Sequence, residues 1–319
     1  MELLSCPQCA QVVYFDNDVC LSCNTRLAFD PGPLAMVKAD VDAVMCKNAS
    51  NHSVCNWTAL PDSSFCLACN ANKTIPDLSA HGNLSRWRAM EQAKRRLYYS
   101  LRELGLVEVS AQPFPERAPP LRFQFLGATA NRPVTTGHED GLITIDIAEA
   151  EDAERERRRD ALGEDYRTPL GHLRHETGHY FWLLLVDSVN QHDGFRAIFG
   201  DERQDYSKAL KHHYEKGPRA DRQDCYITAY ASAHPHEDWA ETFAHYLHIY
   251  DTMMTAQEIG FIPLVELDGQ TLVEMWIPLS VRLNLLNRSM GVRDLYPFVL
   301  TKPVRDKLIY VHEAIQRSR

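Results

Sequence analysis

Long apolar runs are missing from this chain. The longest, Tyr180 to Val186, falls far short of the roughly 20 residues that span a bilayer, so a membrane helix is excluded from the reading. The opening residues Met1 to Cys6 lack both a basic start and an apolar stretch of leader length, and a cytoplasmic address is expected. Positive charge is also in deficit. Against 43 Asp and Glu stand 34 Lys and Arg, a net charge of −9 with a pI near 5.9. Recognition of nucleic acid through overall charge is thereby excluded, and only a local basic patch is left for that purpose. Internal repeats and low-complexity tracts are absent, which excludes a solenoid. Cysteine is almost missing after residue 69, where Cys225 stands alone and reads as a plain buried thiol.

The other eight cysteines crowd into the first 70 residues, where a reducing compartment makes them thiols or metal ligands rather than disulfides. Cys6-Pro-Gln-Cys9 and Cys20-Leu-Ser-Cys23 have the spacing of a zinc ribbon, in which each turn presents two thiolates to one tetrahedral ion. Tyr14 and Phe15 lie between the pairs, placed to cover a tiny core. Cys46, Cys55, Cys66 and Cys69 make a second set around a second structural ion, with His52 as a rival to Cys55. So polar a segment buries little apolar surface, and the metals should contribute its folding energy. Asp30-Pro-Gly-Pro33 reads as a joint between the ribbons, and residues 70–77 as a linker. The expected organisation is a double ribbon over 1–76 and a larger domain over 77–319, within reach of a chain of 319 residues that is 45% hydrophobic.

In the larger domain, Leu170-Gly-His-Leu-Arg-His-Glu-Thr-Gly-His-Tyr-Phe-Trp182 contains His-Glu-x-x-His. On a helix His175 and His179 share one face and can grip a zinc ion, while Glu176, about 100° round, stays free to work on a water held there. Leu170, Leu173, Tyr180, Phe181, Leu184 and Leu185 fall on the opposite side, as a core-facing surface. A metzincin would need glycine at 182 and histidine at 185, where this chain has Trp182 and Leu185. His172, one turn before His175, is expected beside the ligands, because a fourth protein ligand would shut the open position. Gly178 costs helix stability, about 1 kcal/mol against alanine, and suggests that a neighbouring backbone comes close.

The third ligand is sought on a second helix that starts near Pro235, a residue suited to the first turn, with Glu237 and Asp238 favourable at the same positive end. On it Trp239, Phe243, Leu247 and Tyr250 form an apolar stripe, and Glu237, Glu241, His245 and His248 cluster opposite. Glu237 is the expected ligand, with His234 and His236 as rivals. Glu241, one turn on, is expected to orient a ligand imidazole.

Elsewhere, a helix is expected from about Leu84 to Leu104, burying Trp87, Met90, Leu97, Leu101 and Leu104, with Arg86, Arg88, Lys94, Arg95 and Arg96 as a solvated face. Leu121–Phe125 and Leu142–Ile147 read as strands. His138 reads as a loop histidine without a ligand role, the run Glu149 to Asp160 as an exposed helix, Lys211-His-His-Tyr214 as solvent-facing, and Thr301 to Ser318 as a terminal helix.

The segments Tyr166-Arg-Thr-Pro-Leu-Gly-His-Leu-Arg-His-Glu-Thr-Gly-His179, Phe199-Gly-Asp-Glu-Arg203, Ala229-Tyr-Ala-Ser-Ala-His-Pro235 and Glu237-Asp-Trp-Ala-Glu-Thr-Phe-Ala-His-Tyr-Leu-His248 resemble the bacterial zinc-binding metallopeptidases that carry an N-terminal zinc ribbon. The resemblance covers nearly the whole chain. It implies an α+β fold: a mainly helical zincin-like domain of the glutamate-ligand (gluzincin) kind, with a small mixed sheet, preceded by a small zinc-ribbon domain. It implies that residues 142–147 are the edge strand that pairs with an extended substrate. It also implies that Tyr230, or in its place Tyr226, donates its hydroxyl to the oxyanion.

The resulting expectation is a zinc metallopeptidase with one catalytic and two structural ions, in which Glu176 takes a proton from water and passes it to the leaving amine. Its partner is a peptide or protein substrate, with the ribbons as a means of recruiting it, and no membrane. Two other readings compete. One is a ribbon-based binding module for protein or nucleic acid with an idle zincin domain. The other is a DNA-linked protease of the SprT-like type, which carries its ribbon after the catalytic domain and has a histidine as third ligand.

Overall fold

A computed structural model describes residues 3–39, 41, 43–110, 118–128, 134–162 and 168–319. Tyr166 and Arg167 of the motif segment lie outside them. The chain divides into two units, Met1–Arg158 with Thr168–Leu173, and Arg159–Arg167 with Arg174–Arg319. Helices dominate and the sheets are small, which makes this an α+β fold. Among the described residues no helix is long and apolar enough to cross a membrane.

The first unit opens with two antiparallel hairpins, β1 (Leu4–Ser5) with β2 (Val12–Val13) and β3 (Leu27–Asp30) with β4 (Ala35–Lys38), followed by the short helix α1 (Lys47–His52). Asp30 to Pro33 is the turn of the second hairpin, where Asp30 Oδ1 accepts from Gly32 N at 2.9 Å, so these residues close a hairpin and do not join two ribbons. The expected linker over 70–77 is likewise put to structural use. Its residues Asn72–Thr74 form β5, parallel to β6 (Arg122–Leu126). The four-stranded sheet runs β5-β6-β8-β7, with β7 as Gly137–Glu139 and β8 as Leu142–Asp146. Here the structure corrects the edge-strand expectation: β8 is interior, parallel to β6 on one side and antiparallel to β7 on the other. Its run of β-branched residues belongs to a strand flanked on both sides. His138 serves the β7–β8 turn, its Nε2 accepting from Gly141 N at 3.0 Å.

Helix α2 (Asn83–Glu103) buries Trp87, Met90, Leu97 and Leu101 as expected, and Arg88 is exposed, but Lys94 and Arg95 do not belong to a solvated face. Lys94 is fully buried and donates to Glu91 Oε1 at 2.9 Å, itself fully buried and held also by Asn72 Nδ2 and Trp87 Nε1. Arg95 is buried too, donating to Val54 O at 2.6 Å. The reason is position. One side of α2 meets the cysteine-rich segment, where Tyr99 joins Phe15, Phe29 and Trp57 in a cluster of rings 4.9–6.0 Å apart. Another side meets the sheet, where Lys94 lies over the rings of Phe123 and Phe125. Phe15 fulfils its expected covering role, whereas Tyr14 is largely exposed.

Helices α3 (Asp152–Leu162) and α4 (Pro169–Trp182) lead into the second unit, and α4 continues into a π-helical turn over Leu183–Asp187. Then come α5 (His192–Phe199), α6 (Tyr206–Lys216), α7 (Arg222–Cys225), a 3-10 turn over Tyr230–Ala233, and helices α8 (Pro235–Glu258), α9 (Gly269–Ser289) and α10 (Lys302–Ser318). Helix α8 begins at Pro235 as its sequence dictates, with the side chain of His234 accepting from His236 N. Trp239, Phe243 and Leu247 are buried, and so are Glu237 and His245 on the other side, because α5, α9, α10 and the 3-10 turn all pack on this helix.

Gly178 governs how α4 meets α8. A Cβ there would lie 3.0 Å from Ala240 Cα, 3.1 Å from Ala240 O and 3.3 Å from Phe243 Cβ, so a backbone does come close, as the glycine suggested. Trp239 Nε1 donates to Gly178 O at 2.9 Å across the same contact, and Phe181 stacks on Phe243 with centroids 5.3 Å apart. Gly178→Ala must push the helices apart, and urea unfolding is expected to show a loss of about 1–3 kcal/mol despite alanine's better helix propensity.

Candidate metal centres

Three groups of metal-capable side chains come together among the described residues: Cys6, Cys9, Cys20 and Cys23; Cys46, Cys55, Cys66 and Cys69; and His175, His179 and Glu237. The first tetrad is held by two matching turns. In each, the first cysteine's N–H reaches five residues on (Cys6 to Gln11 O, Cys20 to Thr25 O), and the residue four on, Ala10 or Asn24, takes a left-handed conformation. In the second tetrad backbone N–H groups point at sulfur, Trp57 N to Cys55 at 3.4 Å and Cys69 N to Cys66 at 3.3 Å, which suits thiolates. His52, the rival to Cys55, packs its ring against Trp87, 5.6 Å away.

These donor sets can be tested for fit. Zinc–sulfur bonds of about 2.3 Å meeting at the tetrahedral angle put sulfurs about 3.8 Å apart. The separations are 3.6 Å for Cys6–Cys23, 3.7 Å for Cys9–Cys20 and 3.6 Å for Cys55–Cys66. Bonds of about 2.0–2.1 Å to nitrogen and oxygen require about 3.4 Å. His175 Nε2 lies 3.3 Å from His179 Nε2 and 3.1 Å from Glu237 Oε2, and His179 Nε2 lies 3.6 Å from Glu237 Oε1. All three sets fit a zinc ion.

The four-residue spacing on α4 brings the two imidazoles to one face, and the first turn of α8 brings Glu237 to them. His175 is oriented from behind. Its Nδ1 lies 2.6 Å from Glu241 Oε1, and Glu241 Oε2 in turn accepts from Thr228 Oγ1 at 2.7 Å. With Nδ1 held by this carboxylate, Nε2 is the nitrogen directed at the cluster. Burial penalises the charged forms of His175, Glu237 and Glu241. Mutual attraction outweighs that penalty, raising His175 well above the usual imidazole range, holding Glu237 well below the usual carboxylate range, and bringing Glu241 down to about 2. Glu176 is buried next to His175 in sequence.

The rivals are engaged otherwise. His234 caps α8 through Nδ1 and has Nε2 3.2 Å from Gln204 O, while His236 packs edge-on against Trp182 at 4.5 Å. Burial lowers both, His236 to about 4. His172 Nδ1 lies 2.5 Å from Glu149 Oε2, and Thr136 Oγ1 donates to the other oxygen of that carboxylate. Tyr230 sets its ring 5.9 Å from that of His175. Tyr226, its competitor, packs under Lys307 Nζ and Arg219.

Sequence reasoning missed two residues. The Tyr206 hydroxyl donates to Glu237 Oε1 at 2.5 Å, and Thr228 supports Glu241. In α6, Lys211, His212 and Tyr214 are exposed as expected, while the half-buried ring of His213 packs against that of Tyr230 at 5.9 Å. A signal was present: Tyr206, His213 and Tyr214 stand at i, i+7 and i+8, one face of a helix.

Residues 83–314 match the model of a family described as "Putative zinc-binding metallo-peptidase", and residues 3–80 match that of a zinc-ribbon domain. Uncharacterized proteins of Mycobacterium tuberculosis and Mycobacterium bovis are similar to this chain, each 40% identical over 324 residues that cover 97% of this chain and 94% of the relative. No solved structure matches.

The three clusters predict three zinc ions per chain by elemental analysis. His179→Ala and Cys66→Ser should each remove about one of them. A count of two that His179→Ala leaves unchanged would show that the histidine cluster does not hold zinc.

Proposed function

Because the chain belongs to the zinc-binding metallo-peptidase family, with a zinc ribbon ahead of the matched region, we propose that it hydrolyses peptide bonds at the His175, His179 and Glu237 cluster. The two cysteine tetrads hold structural zinc. A tetrad closes the ion off with four donors, whereas three donors leave the open position that catalysis needs. Zinc bound at the histidine cluster supplies a charge that lowers the pKa of water towards 7 and polarises a carbonyl.

This chain's residues do the rest. His175 and His179 offer Nε2, and Glu237 offers a carboxylate oxygen. Glu241, backed by Thr228, fixes the ring of His175 by holding its Nδ1. The Glu176 carboxylate takes a proton from the attacking water and returns it to the leaving nitrogen. The Tyr230 hydroxyl, beside His175, donates a hydrogen bond to the developing oxyanion. The observation that carries this reading is the approach of His175 Nε2 to His179 Nε2 at 3.3 Å and to Glu237 Oε2 at 3.1 Å, donors brought together from two different helices.

Glu176→Gln keeps the shape of the side chain and removes the base. Cleavage of quenched fluorescent peptides is expected to fall about a hundredfold to ten-thousandfold with the zinc count unchanged. Full turnover in that variant would refute the role given to Glu176.

A further inference from the structure

The two carboxylate oxygens of Glu237 have different surroundings. Oε1 accepts from the Tyr206 hydroxyl at 2.5 Å and lies 3.6 Å from His179 Nε2. Oε2 is buried, has no hydrogen-bond donor, and lies 3.1 Å from His175 Nε2. A buried carboxylate oxygen left without a donor is costly unless something else meets it.

We propose that Tyr206 is a positioning residue that makes Glu237 a one-oxygen ligand, engaging Oε1 so that Oε2 is left as the oxygen free to bind the metal. This rests on the reading that His175, His179 and Glu237 hold zinc. A carboxylate free at both oxygens can swing to grip an ion with the pair, and the second oxygen then fills the position that water and substrate require. A phenol bonded to one oxygen opposes that swing, since gripping with both would strain or break a short charge-assisted hydrogen bond. Tyr206 is well placed for the task. It stands at the start of α6, where Asp205 Oδ1 caps the helix by accepting from Lys208 N at 3.0 Å, and its ring packs edge-on against His234, 5.2 Å away. His234 is itself the N-cap of α8, three residues before Glu237, so the phenol is braced against the turn that carries the ligand.

Cobalt(II) reports the number of its ligands through its visible absorption, which is several-fold stronger for four-coordinate than for five-coordinate ions. The full-length protein, with zinc kept in its tetrads and cobalt loaded at the histidine cluster, is compared with His179→Ala treated identically. The difference spectrum isolates the cluster. In Tyr206→Phe the difference bands should weaken several-fold as Glu237 takes hold with both oxygens, and peptide turnover should fall with them. Tyr230→Phe, which removes the other phenol, should lower turnover and leave the bands intact. Unchanged bands in Tyr206→Phe would overturn the positioning role even if turnover fell, since loss of a donor to the oxyanion would explain that result. Absence of any difference between wild type and His179→Ala would instead overturn the ligand assignment, and the proposal with it.

Discussion

The contact between α4 and α8 at Gly178 sets the distance on which the histidine cluster depends. Two of its donors ride on one helix and the third on the other, so their separation is an interhelical distance before it is anything else. A side chain at 178 would meet the backbone of Ala240, and no rotamer of a neighbour can relieve a backbone contact. The indole of Trp239 bonded to Gly178 O and the stacked rings of Phe181 and Phe243 then fix the crossing from either side. A wider spacing of the axes would draw Glu237 away from the two imidazoles, which accounts for a glycine that helix propensity alone would disfavour.

What the sequence made legible follows from local periodicity. Residues four apart on a helix must share a face, which brings His175 to His179. A Cys-x-x-Cys turn must converge its sulfurs. A proline followed by two acids starts a helix, and α8 does begin at Pro235. What stayed hidden depends on neighbours far away in the chain. The basic residues of α2 looked like a solvated face because nothing in their spacing says that the cysteine-rich segment covers one side and the sheet another. The β-branched run of β8 reads the same whether a strand is interior or at an edge. Tyr206 sits 31 residues from the carboxylate it touches, and only the fold closes that gap.

The histidine cluster is also supported more deeply than its motif suggests. Glu241 and Thr228 stand behind His175, and Tyr206 stands behind Glu237, so both helices deliver donors whose far atoms are already engaged. On the proposed reading, this fixes ring and carboxylate orientation before a substrate arrives, and little reorganisation is left for the reaction itself. The tetrads contrast with this arrangement. Their geometry comes from paired turns in the first and from backbone N–H groups directed at sulfur in the second.

The fully buried Lys94–Glu91 pair ties α2 to the segment before it. Glu91 Oε2 lies 3.6 Å from Cys69 Sγ, Arg95 reaches Val54 and Arg96 reaches Asp16, so α2 donates its charges to the cysteine-rich segment that precedes it. Without the ribbon, Glu91 and Lys94 would lose Asn72, and Glu91 would lose Cys69, so the cost of their burial would rise. A truncation that removes the ribbon should therefore destabilise α2 as well, since charges built to be buried would be uncovered.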